Sequence, residues 1–155
     1  MRSTTRLPGS DAPLFTGEHL RFSRYMSSLD WRPVRLRPQA DLRALVAIAS
    51  PGNAAKWQLA EVKTEDELAA ARSGLGDIPI TNLASRGQVT LEKLAAHLRD
   101  GYDILYLVAH GMLVDGEPQI LLEQEDGGGK WLPSREMVTR IQELQERPRL
   151  VVLVS

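Results

Sequence analysis

The sequence predicts an α/β fold, a three-layer α/β/α sandwich around a mainly parallel sheet. Two observations predict it. Mostly apolar runs of strand length recur at residues 42–49, 102–109 and 150–154, each flanked by turn-forming or charged residues. Such a run between turn signals reads as a strand buried on both faces, as in parallel sheets. Between the runs lie stretches with helical spacing, and strands alternating with helices fold as parallel strands joined by right-handed crossovers.

The chain of 155 residues fits one domain with a sizeable core. A net charge of −1 leaves no electrostatic footprint for nucleic acid. The local basic cluster Arg21, Arg24, Arg32, Arg35 and Arg37 reads as a solvated lead-in segment. No cysteine is present, so disulfides, zinc–thiolate sites and a thiol nucleophile are absent from these residues. No run approaches the ~18 apolar residues of a membrane span, and no secretory signal follows Met1. The expectation is a cytoplasmic protein with no membrane or nucleic-acid partner.

Residues 1–40 show no sustained period, and Pro8, Pro13, Pro33 and Pro38 interrupt them. They read as an irregular N-terminal arm carrying Phe15, Phe22, Tyr25 and Trp31, or equally as a linker; the folded part is 41–155. The strand at 42–49 stops at Ser50-Pro51-Gly52-Asn53, and Trp57 follows in a loop, where it reads as a lid over the core. Thr64-Glu65-Asp66-Glu67 has the form of a capping box, opening a helix that ends at Gly74 or Gly76. Its expected apolar face is Leu68, Ala69 and Ala71, a thin face that suits packing on a sheet.

Residues 77–83 form a second strand, and Pro79 assigns it to an edge because proline cannot donate to a ladder. Thr90 is the expected cap of a helix with Leu91, Leu94, Ala95 and Leu98 on one face, His97 lying off that stripe. Asp100-Gly101 ends it and leads into the central strand. Beyond that strand, residues 112–123 read as a hairpin around Asp115-Gly116. Gly127, Gly128 and Gly129 lack the Gly-Lys-Ser/Thr context of a phosphate cradle, so they read as a flexible connection to the next helix, and no cofactor is expected. That helix is capped by Ser134 and buries Met137, Val138, Ile141 and Leu144. A last buried strand occupies 149–155.

The central strand carries the candidate site. In open parallel sheets ligands and chemistry gather beyond the carboxyl ends of the strands, where His110 stands. Gly111 beside it allows close approach of backbone or substrate. Asp103 reads as a turn residue, Asp115 and Glu117 as solvated. Alternation along the strand and the glycine loop scatter Glu123, Glu125 and Asp126, so no metal site is expected.

Three ordered segments resemble the CHAT family of caspase-like domains, often found beside tetratricopeptide repeats. They are Gly-Tyr-Asp-Ile-Leu-Tyr-Leu-Val-Ala-His-Gly at 101–111, the hairpin with Gly116-Glu117-Pro118 and Ile120-Leu121-Leu122-Glu123, and Pro148 to Ser155. Arg21-Phe22-Ser23-Arg24-Tyr25 also resembles a lead-in of such domains. The resemblance implies a caspase/hemoglobinase-like fold and a His–Cys endopeptidase acting on protein or peptide substrates. It implies that His110 is the general base or orienting partner of a thiol, and that Gly111 contributes to the oxyanion pocket. The last strand resembles the one ending directly before the family's nucleophilic cysteine. Since no cysteine is present, the expectation is the N-terminal part of such a domain, incomplete at the C-terminus and inactive alone. Its implied partners are the remainder of the domain or tetratricopeptide-repeat regions. The alternatives are a non-enzymatic interaction module and a small-molecule-binding α/β domain using the loops after Ala49 and Ala109. The latter lacks a glycine-rich fingerprint after the first strand.

Overall fold

A computed structural model describes residues 37–155, all within one compact unit, Val34–Ser155. The aromatic residues of the arm, and its arginines before Arg37, lie outside the described residues.

The parallel sheet is built from β1 (Ala44–Ile48), β2 (Ile80–Leu83), β3 (Ile104–Val108) and β7 (Leu150–Val154), in the order β2-β1-β3-β7. Every β1 residue is buried, as its apolar run requires of an inner strand. β2 is an edge strand, in keeping with Pro79 just before it. Helix α1 (Thr64–Leu75) covers one face, packing Leu68, Ala71 and Leu75 with Val46, Ile48 and Val108. Helix α2 (Leu91–Leu98) covers the other, packing Leu94 and Leu98 with Leu45, Ala47, Leu105 and Leu107. Helix α3 (Ser134–Gln142) adds Met137 and Ile141 to that second face. The α/β/α layering follows the sequence expectation.

A second sheet follows β3: β4 (Gly111–Val114), β5 (Glu117–Glu123) and β6 (Gly129–Pro133) form an antiparallel meander in the order β4-β5-β6. Asp115 and Gly116 both have positive φ, 51° and 80°, as a two-residue turn between twisted strands demands. β6 corrects the expectation of a flexible connection at 124–130. Gly127, at φ 80°, turns the chain back so that Lys130 and Trp131 pair with Leu122 and Leu121.

Other local expectations are also corrected. Thr64 is the first helical residue and not a cap; Lys63 precedes the helix, and its carbonyl takes the Glu67 amide that a capping box would use. Ala69 is exposed and Leu75 takes its expected place on the sheet. Ser134 likewise opens α3 without capping it, and Val138 faces solvent. Thr90 does cap α2, its hydroxyl accepting from the Lys93 amide at 3.1 Å. The largest correction is β7. Expected to be buried, it is the last strand of the sheet among the described residues, with Leu153 67% exposed and Leu150 and Val151 also exposed.

Candidate functional site

The order β2-β1-β3-β7 places the change of winding direction between β1 and β3, and in open sheets of this kind ligands gather at that point, beyond the carboxyl ends of the strands. His110 stands at that point, directly after β3. It continues the alternation of Tyr106 and Val108, whose side chains pack in the α1 layer. Its carbonyl accepts from the Leu121 amide at 2.9 Å, tying the end of β3 to the meander.

The imidazole Nε2 lies 2.9 Å from the carbonyl oxygen of Ala60, in the loop after β1. A carbonyl can only accept, so Nε2 carries the proton and donates it. In the neutral ring Nδ1 is then the nitrogen with a free lone pair, and the ring's tautomer is set by main chain alone.

The loop that supplies this carbonyl is anchored at several points. The Ser50 amide donates to Glu123 Oε1 at 2.9 Å, and the Ser50 hydroxyl donates to the Val62 carbonyl at 3.1 Å. The Gly129 amide donates to Asn53 Oδ1 at 2.7 Å, and the Gly52 amide to the Gly127 carbonyl at 3.0 Å. Trp57, in a single 3-10 turn, meets Trp131 of β6 edge to face, the ring centroids 6.1 Å apart and the planes at 79°. Trp57 is thus half-buried against the meander, with Trp131 as its partner.

Glu123 is the residue whose importance the sequence concealed. It is buried, and its two carboxylate oxygens accept from Ser50 (2.9 Å) and Val89 (3.1 Å), joining the loops after β1 and β2 to the end of β5. Ala60 was equally invisible, because any residue can offer a carbonyl.

Gly111 opens β4, exposed. A Cβ there would meet only the Gln119 carbonyl, at 3.7 Å, an ordinary contact, so packing does not demand the glycine. The Leu121-to-His110 hydrogen bond fixes the alternation along β4. Residues 110, 112 and 114 address β5, whereas Gly111 and Leu113 turn their N–H and C=O groups to the open edge.

The acidic residues do not join His110. Asp103 is buried at the opposite end of β3, seven residues and about 23 Å of strand from His110. There it accepts from the Arg43 amide at 3.0 Å and pairs with Arg37 (3.6 Å) and Arg149 (3.5 Å), clamping the starts of β1, β3 and β7. Arg37 also pairs with Glu146, so it is not a free solvated charge. Asp115 is exposed, and Glu117, also exposed, pairs with Arg135 at 3.4 Å. Glu125 and Asp126 sit exposed at the β5–β6 turn, and among the described residues no cluster of His, Cys, Asp or Glu could hold a metal ion.

The fold is a doubly wound α/β sheet with a hydrogen-bonded histidine at the carboxyl end of its central strand β3. The family model for the CHAT domain matches residues 5–155, and the chain belongs to that family, which is related to the caspase-like peptidases. The match takes in most of the stretch read as an arm or linker. No curated protein matches the chain. Among the described residues no helix is long and apolar enough to cross a membrane.

Proposed function

We propose that this chain supplies the histidine half of a caspase-like His–Cys endopeptidase acting on protein or peptide substrates. The observation that carries the reading is His110 at the sheet rim, with Nε2 committed to Ala60 and Nδ1 left as the basic nitrogen. The ladder between β3 and β7 adds to it. Val108 pairs with Val154, and the Ala109 amide donates to the Val154 carbonyl at 3.0 Å. Ser155 therefore stands beside Ala109, and the next position along that strand lies across from His110, about 5 Å away between strands. Val154 packs in the same α1-side layer as Val108, so that next position shares the parity of His110.

A cysteine supplied at that position in a longer protein would complete the chemistry. Its thiol gives a proton to His110, and the thiolate attacks the scissile carbonyl carbon. The Gly111 N–H, turned to the open edge, donates to the oxyanion that forms. As the C–N bond breaks, the imidazolium returns the proton to the leaving amine. Water, deprotonated by the same ring, then hydrolyses the thioester and regenerates the thiol. Among the described residues no strand pairs with the outer edges of β4 and β7, which favours a second reading, a non-enzymatic interaction module.

The test uses a protein that extends this chain through the segment following Ser155 in its reading frame. With a cysteine at that place, it is expected to cleave a fluorogenic peptide library. His110→Ala should lower turnover by at least ~10²-fold, the range of general-base assistance. A residue other than cysteine there, or undiminished cleavage by His110→Ala, would remove the peptidase reading and leave the interaction module.

A further inference from the structure

A groove of about 500 Å³ runs between the meander and the open edge of the parallel sheet. Leu107 and Ala109 of the central strand and Ile120 of β5 line it, with Met112 and Leu113 on one side and Leu153 on the other. It reaches the rim at Gly111, the neighbour of His110. None of its lining side chains is ionisable, so a charged group entering it would lose hydration without gaining a counter-charge.

Two further features narrow what the groove fits. Leu113, 73% exposed, and Gly111 aim backbone donors and acceptors outward from β4, and no strand pairs with β4 on that side among the described residues. Unpaired edge groups of this kind are satisfied by an added extended strand, while a neighbouring pocket selects one of its side chains. Backbone groups arranged for a strand and a side-chain pocket without charge call for the same ligand.

We propose that this groove binds an extended peptide segment through the β4 edge and selects an aliphatic side chain, leucine-like, beside the rim. The inference deepens the endopeptidase reading and rests on it for its biological sense: the groove would set the substrate class. Acidic and basic side chains would be rejected because no lining side chain could compensate their charge; the α-carboxylate of Ser155, at the end of the groove in the 155-residue chain, is amidated for the binding test.

The probes are three acetylated and amidated hexapeptides, identical except for Leu, Asp or Lys at one central position. Each is titrated into the 155-residue chain, with binding followed by amide NMR shifts of Gly111 and Leu113. The Leu peptide should bind at least tenfold more tightly than the other two and shift both amides. Leu113→Pro deletes one outward N–H while leaving the β5 ladder whole, and should weaken binding about tenfold; edge strands tolerate such a proline. Should that variant not fold, Leu153→Asp places a charge in the groove from a different element and should abolish the preference for Leu. Equal affinities for the three peptides, or shifts confined to other residues, overturn the proposal. So does a groove occupied by a second copy, seen as concentration-dependent dimers that Leu153→Asp disperses and no peptide displaces. Binding is read on a chain without a thiol, so the two ideas fail separately. Peptide binding with no cleavage by the longer protein removes the peptidase alone, and cleavage indifferent to Leu, Asp or Lys removes the groove alone.

Discussion

At the scale of residues, the site is held by groups that leave little trace in a sequence. His110 was legible because an apolar strand ending in His-Gly marks a sheet rim, yet the partner that sets its tautomer is a main-chain carbonyl. Glu123 was visible only as an acidic residue closing an apolar strand, and burial turned it into an acceptor for two amides from different loops. Removing that carboxylate leaves the Ser50 and Val89 amides without their acceptor, and each unsatisfied buried group costs about 1–3 kcal/mol. Glu123→Ala is therefore expected to destabilise the domain by roughly 2–5 kcal/mol in urea unfolding. A loss below about 0.5 kcal/mol, the range of ordinary surface substitutions, would show that the loops are held elsewhere.

At the scale of elements, the two threonines that looked like helix caps separate cleanly. Thr90 accepts from the Lys93 amide, whereas at Thr64 the Glu67 amide is already taken by the Lys63 carbonyl. Thr90→Ala should cost about 1 kcal/mol, and Thr64→Ala no more than a few tenths, in paired denaturation curves. Equal losses would contradict the assigned helix start. The contrast shows why capping motifs mislead: the pattern fixes which residues are competent to cap, and the entry path of the chain decides which one does. β6 was missed for a related reason. Its glycines signal a turn, and the strand after them carries only Lys130 and Trp131 before Leu132 and Pro133, too short a run to show alternation.

At the scale of the whole molecule, the parallel sheet, its layers and the edge position of β2 were legible because hydrophobic run length and proline placement act locally. The exposure of β7 was not, since an apolar run states what a strand prefers and not what lies beside it. The clamp of Asp103 by Arg37 and Arg149 was equally hidden, as it joins residues far apart in the chain. For the 155 residues taken alone, histidine without a thiol should leave a peptide library uncleaved over a day's incubation. Robust turnover would require a different nucleophile and a different mechanism. The perpendicular indoles of Trp57 and Trp131 carry a practical consequence. One belongs to the loop that restrains His110 and the other to the meander beyond it, so their coupled transitions make the molecule its own optical gauge of whether that corner is closed.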